Sequence, residues 1–230
     1  FQVYQTWHEE LSRTGWIKAL ILRIAAAEIF VVKQDFKKRS TKYSRWVLTL
    51  FKINYIGSAP LQILKSSKNK DGNELTRSIK SKKYSGIFFV FGFLFKKRNI
   101  ELILNNINPS SEILIIAGDT SVDPKYYTFL QELVISKNLN HCVKFLGFIN
   151  NESLEALIDI STAIIFTNHG GVFNWNTSFL LSCYSAKPVI YLYDSINEKP
   201  KVQGFSGTEL DFGIPENCSE LLRAKMDKVK

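Results

Sequence analysis

Short-range metal-ligand spacing is the first thing this sequence lacks. Its 230 residues hold 3 cysteines and 3 histidines, and none recur at the close intervals from which zinc sites are built. The stretch "HEELS", beginning at His8, opens like a zinc-protease helix, but no second His follows at the required position. Cys142, Cys183 and Cys218 are an odd, widely spaced set, which fits a reduced cytosolic protein better than a disulfide framework. There is no phosphate-binding P-loop, no Gly-x-Gly-x-x-Gly, no nucleophile elbow and no Ser-His-Asp arrangement. These absences speak against kinases, dehydrogenases and hydrolases. Long apolar runs are missing too. "GIFFVFGFLF" (86–95) is about half the ~20 residues that a bilayer demands, and "WIKALILRIAAAEIFVVK" is broken by Lys18, Arg23 and Glu28. No signal peptide is visible. The chain opens on Phe1 and goes straight into a strand-like stretch, so it reads as a piece of something longer, lacking an N-terminal segment.

What is present is a globular composition with an excess of positive charge. Hydrophobic residues make up 45% and aromatics 13%, enough for a packed core and unlike a disordered chain. The formal charge of +9 is clustered in "KSSKNKDGNELTRSIKSKK" (65–83) and "KQDFKKRSTKYSR" (33–45). Such runs serve either as solvated faces or as surfaces near anionic lipid headgroups and phosphorylated substrates. No RNA-binding aromatic motif or zinc-finger spacing favours nucleic acid.

The pattern along the chain alternates short β-rich runs with amphipathic helices. Strands are expected at 2–7, 28–33 and 52–57, with helices over 16–27 and 42–51 between them. The polar stretch 65–83 follows, with one helix near its end. A second series then sets strands at 85–92, 112–118, 142–147, 163–168 and 188–193. Helices are expected between them at 99–107, from Asp123–Pro124 onward, at 152–160 and at 177–186, with 188–193 as the last strand. Apolar strands alternating with helices of this length predict βαβ units and a parallel sheet, joined by right-handed crossovers. The fold class is α/β, with two Rossmann-like domains of which the first is incomplete. The expected organisation is the tail of an N-terminal domain over 1–64, a basic linker over 65–83, a nucleotide-binding domain over 84–195, and a loop with a short basic helix over 196–230.

Ligands of open parallel sheets collect at the carboxyl ends of strands. Four such ends stand out in the second series: "FGFLFKKRN" (91–99), "AGDTSVD" (117–123), "GFINN" (147–151) and "TNHGGVFNWNTS" (167–178). Lys96, Lys97 and Arg98 form either a solvated patch or a diphosphate site beside a helix start. Asn176, Thr177 and Ser178 precede an apolar helix, where one capping residue would suffice; the surplus suggests a ligand at the helix end. His169 is a lone loop histidine beside two glycines, and His141 lies in a turn.

The order "FGFLFKKRNIELIL … EILIIAGD … VKFLGFINNESLEALIDISTAIIFTN … NTSFLLSCYSAKPVIYL" resembles the nucleotide-binding domain of GT-B glycosyltransferases of the GT4 type. The likeness runs over roughly 84–193 and rests on five elements in order. "VYQTWHEELSR", "LRIAAAEIFVVKQ" and "INYIG" are similar to the end of that family's N-terminal domain. The resemblance implies transfer of a sugar from a nucleotide-diphosphate donor to an acceptor that is lipid-linked or a growing polysaccharide. It further implies retention of configuration and independence from metal. No cofactor is implied beyond the donor itself. His8 would face the donor sugar as the catalytic residue, and Gly92, Arg98, Asn99, Gly118, Asn176, Thr177 and Ser178 would hold the nucleotide. The sequence departs from the family at several points. Phe93 stands for the family's Arg, Arg98 for its Lys and Asn99 for its Gly, while Phe173 and Leu181 stand where a Glu-x7-Glu pair is usual. Arg98 keeps a fixed cation able to fork onto phosphate oxygens. The rival readings are a noncatalytic nucleotide-sugar-binding or interaction module of the same fold and, third, a nucleic-acid-binding protein. A nucleotide-sugar epimerase would need a carboxylate pair that is not apparent.

The cysteines lead to the expectation of a cytoplasmic protein, and the clustered charge would suit the inner face of the membrane. The expected outcome in co-sedimentation is association with vesicles containing anionic lipid and release by salt; equal partitioning onto neutral vesicles would remove the electrostatic argument.

Overall fold

In the computed structural model, residues 3–7, 26–31, 53–55, 74–173, 176–196 and 199–230 are described. The chain divides into two compact units, Phe1–Pro60 and Leu61–Lys230.

In the first unit, β1 (Val3–Trp7), β2 (Ala26–Val31) and β3 (Ile53–Tyr55) form a parallel sheet in that order. The helix expected over 16–27 gives way to strand at Ala26, because Val3 pairs with Ala26 at the start of the β1–β2 ladder. An alanine-rich end to an apolar run suits either element, and pairing decides it. His8 and the expected helix over 42–51 lie outside the described residues.

The second unit is built on six parallel strands: β4 (Gly86–Phe91), β5 (Glu112–Ala117), β6 (Val143–Gly147), β7 (Ala163–Phe166), β8 (Val189–Tyr193) and β9 (Asp211–Pro215). Their order across the sheet is β6-β5-β4-β7-β8-β9, the doubly wound arrangement in which direction reverses at the centre, between β4 and β7. The last strand is therefore β9, not the expected 188–193. Only Ile214 of "DFGIP" is buried, so this edge strand carries almost no apolar signal. Among the described residues six helices surround the sheet: α1 (Glu74–Ser81), α2 (Ile100–Leu104), α3 (Pro124–Ser136), α4 (Asn151–Ile160), α5 (Thr177–Cys183) and α6 (Leu222–Lys228). α1 occupies the end of the stretch read as a linker, whose residues 65–73 lie outside the described residues.

The strands are apolar throughout because both faces are covered, and alternate side chains sort to opposite sides. Phe88, Val90, Leu114, Ile116 and Ile165 pack with Ile103 of α2, Leu130 of α3 and Met226 of α6. Phe89, Phe91, Ile115, Phe166 and Tyr191 pack with Ile79 of α1, Leu157 of α4 and Phe179 of α5. The expected start of α3 is found: Asp123 Oδ1 accepts from the Tyr126 N–H at 3.1 Å, and Pro124 follows in the first turn. Asn150 caps α4 in the same way, accepting from Ser153 N–H at 2.9 Å.

Two features hold opposite ends of this sheet. At the carboxyl end, Gly118 lets the turn after β5 touch the turn after β4. A Cβ at Gly118 would stand only 1.8 Å from the Gly92 carbonyl oxygen. At the amino end, the Glu112 side chain is fully buried at the start of β5. Arg223 of α6 grips its two oxygens at 2.9 and 2.8 Å, the Asn108 N–H donates at 2.7 Å, and Lys230 adds a further ion pair. Burial alone would raise the Glu112 pKa, but the hydrogen bonds from Arg223, Lys230 and Asn108 outweigh it and hold the group below its ordinary value.

Gly118→Ala should lower stability by about 1–3 kcal/mol through overpacking against rigid backbone, measured by denaturant unfolding. Gly147→Ala, where nothing lies within 4 Å but φ is +66°, should cost about 1 kcal/mol. Equal losses at the two sites would refute the close approach. Arg223→Ala should cost roughly 2 kcal/mol, less than the roughly 3–5 kcal/mol of a stripped buried charge because Lys230 and the Asn108 N–H remain. Because the folded pKa of Glu112 lies below its unfolded value, its contribution is complete above about pH 4.5 and fades as pH falls through the folded pKa. The melting temperature should drop on that acid limb, and Glu112→Gln should flatten it.

Candidate functional site

The carboxyl ends of the two central strands meet around Gly92. This residue follows β4 with φ +111°, a conformation open to glycine and strained for other residues. The place a Cβ would take lies 2.9 Å from Ser178 Oγ and 3.7 Å from Arg98 Nη1. The turn is fixed from the side by Gly92 N–H donating to the Ala117 carbonyl at 3.0 Å and Leu94 N–H to Asp119 at 3.3 Å. Gly92, Arg98, Gly118 and Ser178, all expected at the site, are thus brought together.

Arg98 lies deeper than a surface phosphate ligand. It is only 5% exposed, its Nη2 donates to the Phe91 carbonyl at 2.8 Å, and its guanidinium sits 5.2 Å above the centre of the Phe166 ring. Burial pushes its pKa down to about 10, so it stays charged at neutral pH. Nη1 is the part beside Gly92. Lys96 and Lys97, by contrast, are exposed, and Phe93 is 64% exposed.

The segment 96–99 is a short 3-10 turn ending in Asn99, which adopts a left-handed conformation (φ 51°, ψ 44°) and opens α2. Neighbouring elements pin it and the helix start after it, beginning with Lys96 N–H donating to Asp123 Oδ2 at 3.3 Å. The hydroxyl of Thr167, after β7, is 2.9 Å from both the Arg98 and Asn99 carbonyls, and His169 N–H donates to the Lys97 carbonyl at 2.7 Å. Ile100 N–H donates to Tyr126 Oη at 2.8 Å, and that hydroxyl donates to Glu101 at 2.5 Å. Burial, then the bond to Glu101, pushes the Tyr126 pKa up.

Asn176, Thr177 and Ser178 do begin α5, but not as a triple cap. Asn176 occupies the N-cap position, yet its side chain makes no capping hydrogen bond. Thr177 is exposed, and Ser178 instead turns its hydroxyl to the Gly92 side. Asn174 and Trp175 lie outside the described residues. Leu181, at one of the family's Glu positions, packs against the core.

Two residues here were not singled out by the sequence. Glu216 accepts from Gly170 N–H at 2.9 Å and pairs with His169 Nδ1 at 3.2 Å, tying the glycine loop after β7 to the segment after β9. Asn168 is 8% exposed, and its side-chain oxygen is buried without a partner. Cysteine chemistry is not in evidence at the site: burial pushes the Cys183 thiol up to about 12, so it stays protonated. Among the described residues no group of three or more His, Cys, Asp or Glu is placed to hold a metal ion, and no helix is long and apolar enough to cross a membrane.

No protein-family model matches the chain, and no curated protein matches it. Solved structures do. Anabaena HepE in complex with UDP and glucose is 16% identical with a TM-score of 0.70, over 99% of this chain and 61% of that one. A glycosyltransferase from Rickettsia africae is 14% identical with a TM-score of 0.68, over 98% and 59%. Sucrose-phosphate synthase from Thermosynechococcus elongatus is 14% identical with a TM-score of 0.66, over 100% and 58%. The chain thus spans about three-fifths of the length of these proteins, and its two units have the fold of the GT-B glycosyltransferases.

Proposed function

We propose that this chain is the donor-binding part of a glycosyltransferase that moves a sugar from a nucleotide diphosphate to a sugar or lipid-linked acceptor. The observation that carries the reading is the meeting of Gly92, Arg98 Nη1 and Ser178 Oγ at the carboxyl ends of β4 and β7. A bare glycine surface lets a ligand approach the backbone closely. A guanidinium and a hydroxyl beside it supply donors for diphosphate oxygens, while Lys96 and Lys97 raise the local positive potential. Support also comes from HepE, which shares the fold and holds UDP and UDP-glucose in its crystals.

In this reading the leaving diphosphate is stabilised by these fixed donors, the transfer retains configuration and no metal takes part. His8 supplies the catalytic contact to the donor sugar. Arg98 acts in two ways, as the support of the 92–99 turn and through Nη1 toward phosphate, with Asn99, Asn176 and Thr177 along the same wall. The enzyme works in the cytoplasm, at the membrane surface when its acceptor is lipid-linked. The apolar residues at Phe173 and Leu181 favour one second reading, a module of the same fold that binds the nucleotide sugar without turnover.

A thermal-shift screen of UDP, GDP, CMP and dTDP compounds should reveal one preferred nucleotide. Calorimetric titration of that nucleotide into Ser178→Ala should show affinity reduced about three- to ten-fold, the worth of one hydrogen bond, with the melting temperature close to the parent's. Unchanged affinity would remove Ser178 from the site, and binding without transfer or hydrolysis of the sugar would favour the noncatalytic module.

A further inference from the structure

Asn168 is a polar side chain that the fold leaves unserved. It lies two residues beyond the end of β7, it is 8% exposed, and Oδ1 is buried with no hydrogen-bond partner. The chain on either side of it is tied down. Its own carbonyl accepts from Gly171 N–H at 2.9 Å, while Thr167 before it and His169 after it bond to the 97–99 segment. A buried amide with an unmatched end carries a desolvation cost that folding does not recover, and such groups gather at functional sites. The strand that presents it pairs directly with β4, whose end carries Gly92.

We infer that Asn168 is a specificity-determining binding residue that takes a sugar-ring hydroxyl of the donor. This rests on the nucleotide-sugar reading above and names the subsite that reading leaves open. The chemistry selects the partner. Oδ1 can only accept, and a phosphate at neutral pH, having oxygens that only accept, offers it nothing. A hydroxyl both donates and accepts, so it satisfies the carboxamide in either of its two flipped orientations. The Gly92–Arg98–Ser178 cluster offers donors suited to phosphate, and Asn168, between two residues bonded to 97–99, adds a neutral acceptor on the adjoining strand end. Two hydroxyl-bearing rings qualify, the ribose of the nucleotide and the transferred sugar.

The test is calorimetric titration of UDP and UDP-glucose into the full chain and its Asn168→Ala and Asn168→Ser variants, with melting temperatures measured without ligand. Asn168→Ala should bind about ten-fold more weakly or worse, yet melt no lower than the parent, since an unpartnered buried polar group has been removed. Asn168→Ser, which keeps a small acceptor, should recover part of the affinity and stands in if the alanine variant does not fold. Loss for both compounds assigns the ribose hydroxyls; loss for UDP-glucose alone assigns the sugar. If the parent binds and the variants bind equally well, or if they lose affinity only together with a lower melting temperature, Asn168 is a structural residue and the inference falls. If the parent binds neither compound, the nucleotide-sugar reading fails for uridine donors and this assignment falls with it.

Discussion

A buried cation governs the carboxyl edge of the second unit. Taking a guanidinium out of water is costly, and Arg98 meets that cost with a carbonyl on one side and an aromatic face on the other. The arrangement has consequences on both adjacent strands. The Phe91 carbonyl ends β4 and the Phe166 ring ends β7, so a single side chain couples the two strand ends between which the sheet reverses its winding. The turn it stabilises then brings Gly92 against Ser178, and places Asn99 in a left-handed conformation that starts α2. A lysine at this position, as in the resembling family, would offer a compact and strongly hydrated charge. It could not lie flat on the ring while donating backward.

The rest of the site follows from what this turn leaves over. The backbone groups of 96–100 are taken up by the Asp123 carboxylate, Thr167, His169 and Tyr126, so the turn is held from several elements at once. The charge left to solvent belongs to Lys96 and Lys97. The glycine loop after β7 is fastened at its far side by Glu216, a residue delivered by the segment following the edge strand. A candidate ligand wall therefore depends on four separate stretches of chain, only two of which adjoin the central strands.

How much of this could be read from the sequence depends on whether a residue's neighbours are local. The five apolar strands were legible because burial on both faces demands continuous hydrophobic runs, and α3 because Asp123 and Pro124 are a cap with its own geometry. β9 was not, since an edge strand with one buried residue needs no apolar pattern and "DFGIP" reads as a turn. At the candidate site, the glycines and Arg98 stood out because they follow apolar strands directly. The depth of Arg98 was invisible, because it is set by Phe166, 68 positions away. Asn176 was read through its capping propensity, yet the hydroxyl that faces Gly92 belongs to Ser178, far from Gly92 in sequence. Asn168 gave no signal at all, since a polar residue closing an apolar strand usually marks an ordinary turn.

The clasp on Glu112 bears on how the chain comes into being. Arg223 lies 111 residues downstream of the carboxylate it grips, and Lys230 further still. During synthesis β4, β5 and β7 emerge and can pair long before either cation exists. In that interval the start of β5 carries an acid with only the Asn108 N–H to meet it. A sheet assembled early would hold that acid protonated or keep its amino end open to water. The final closure of the second unit is thereby tied to the arrival of α6 on the ribosome, and a chain interrupted before Arg223 would keep most of the core around a charge without either cation.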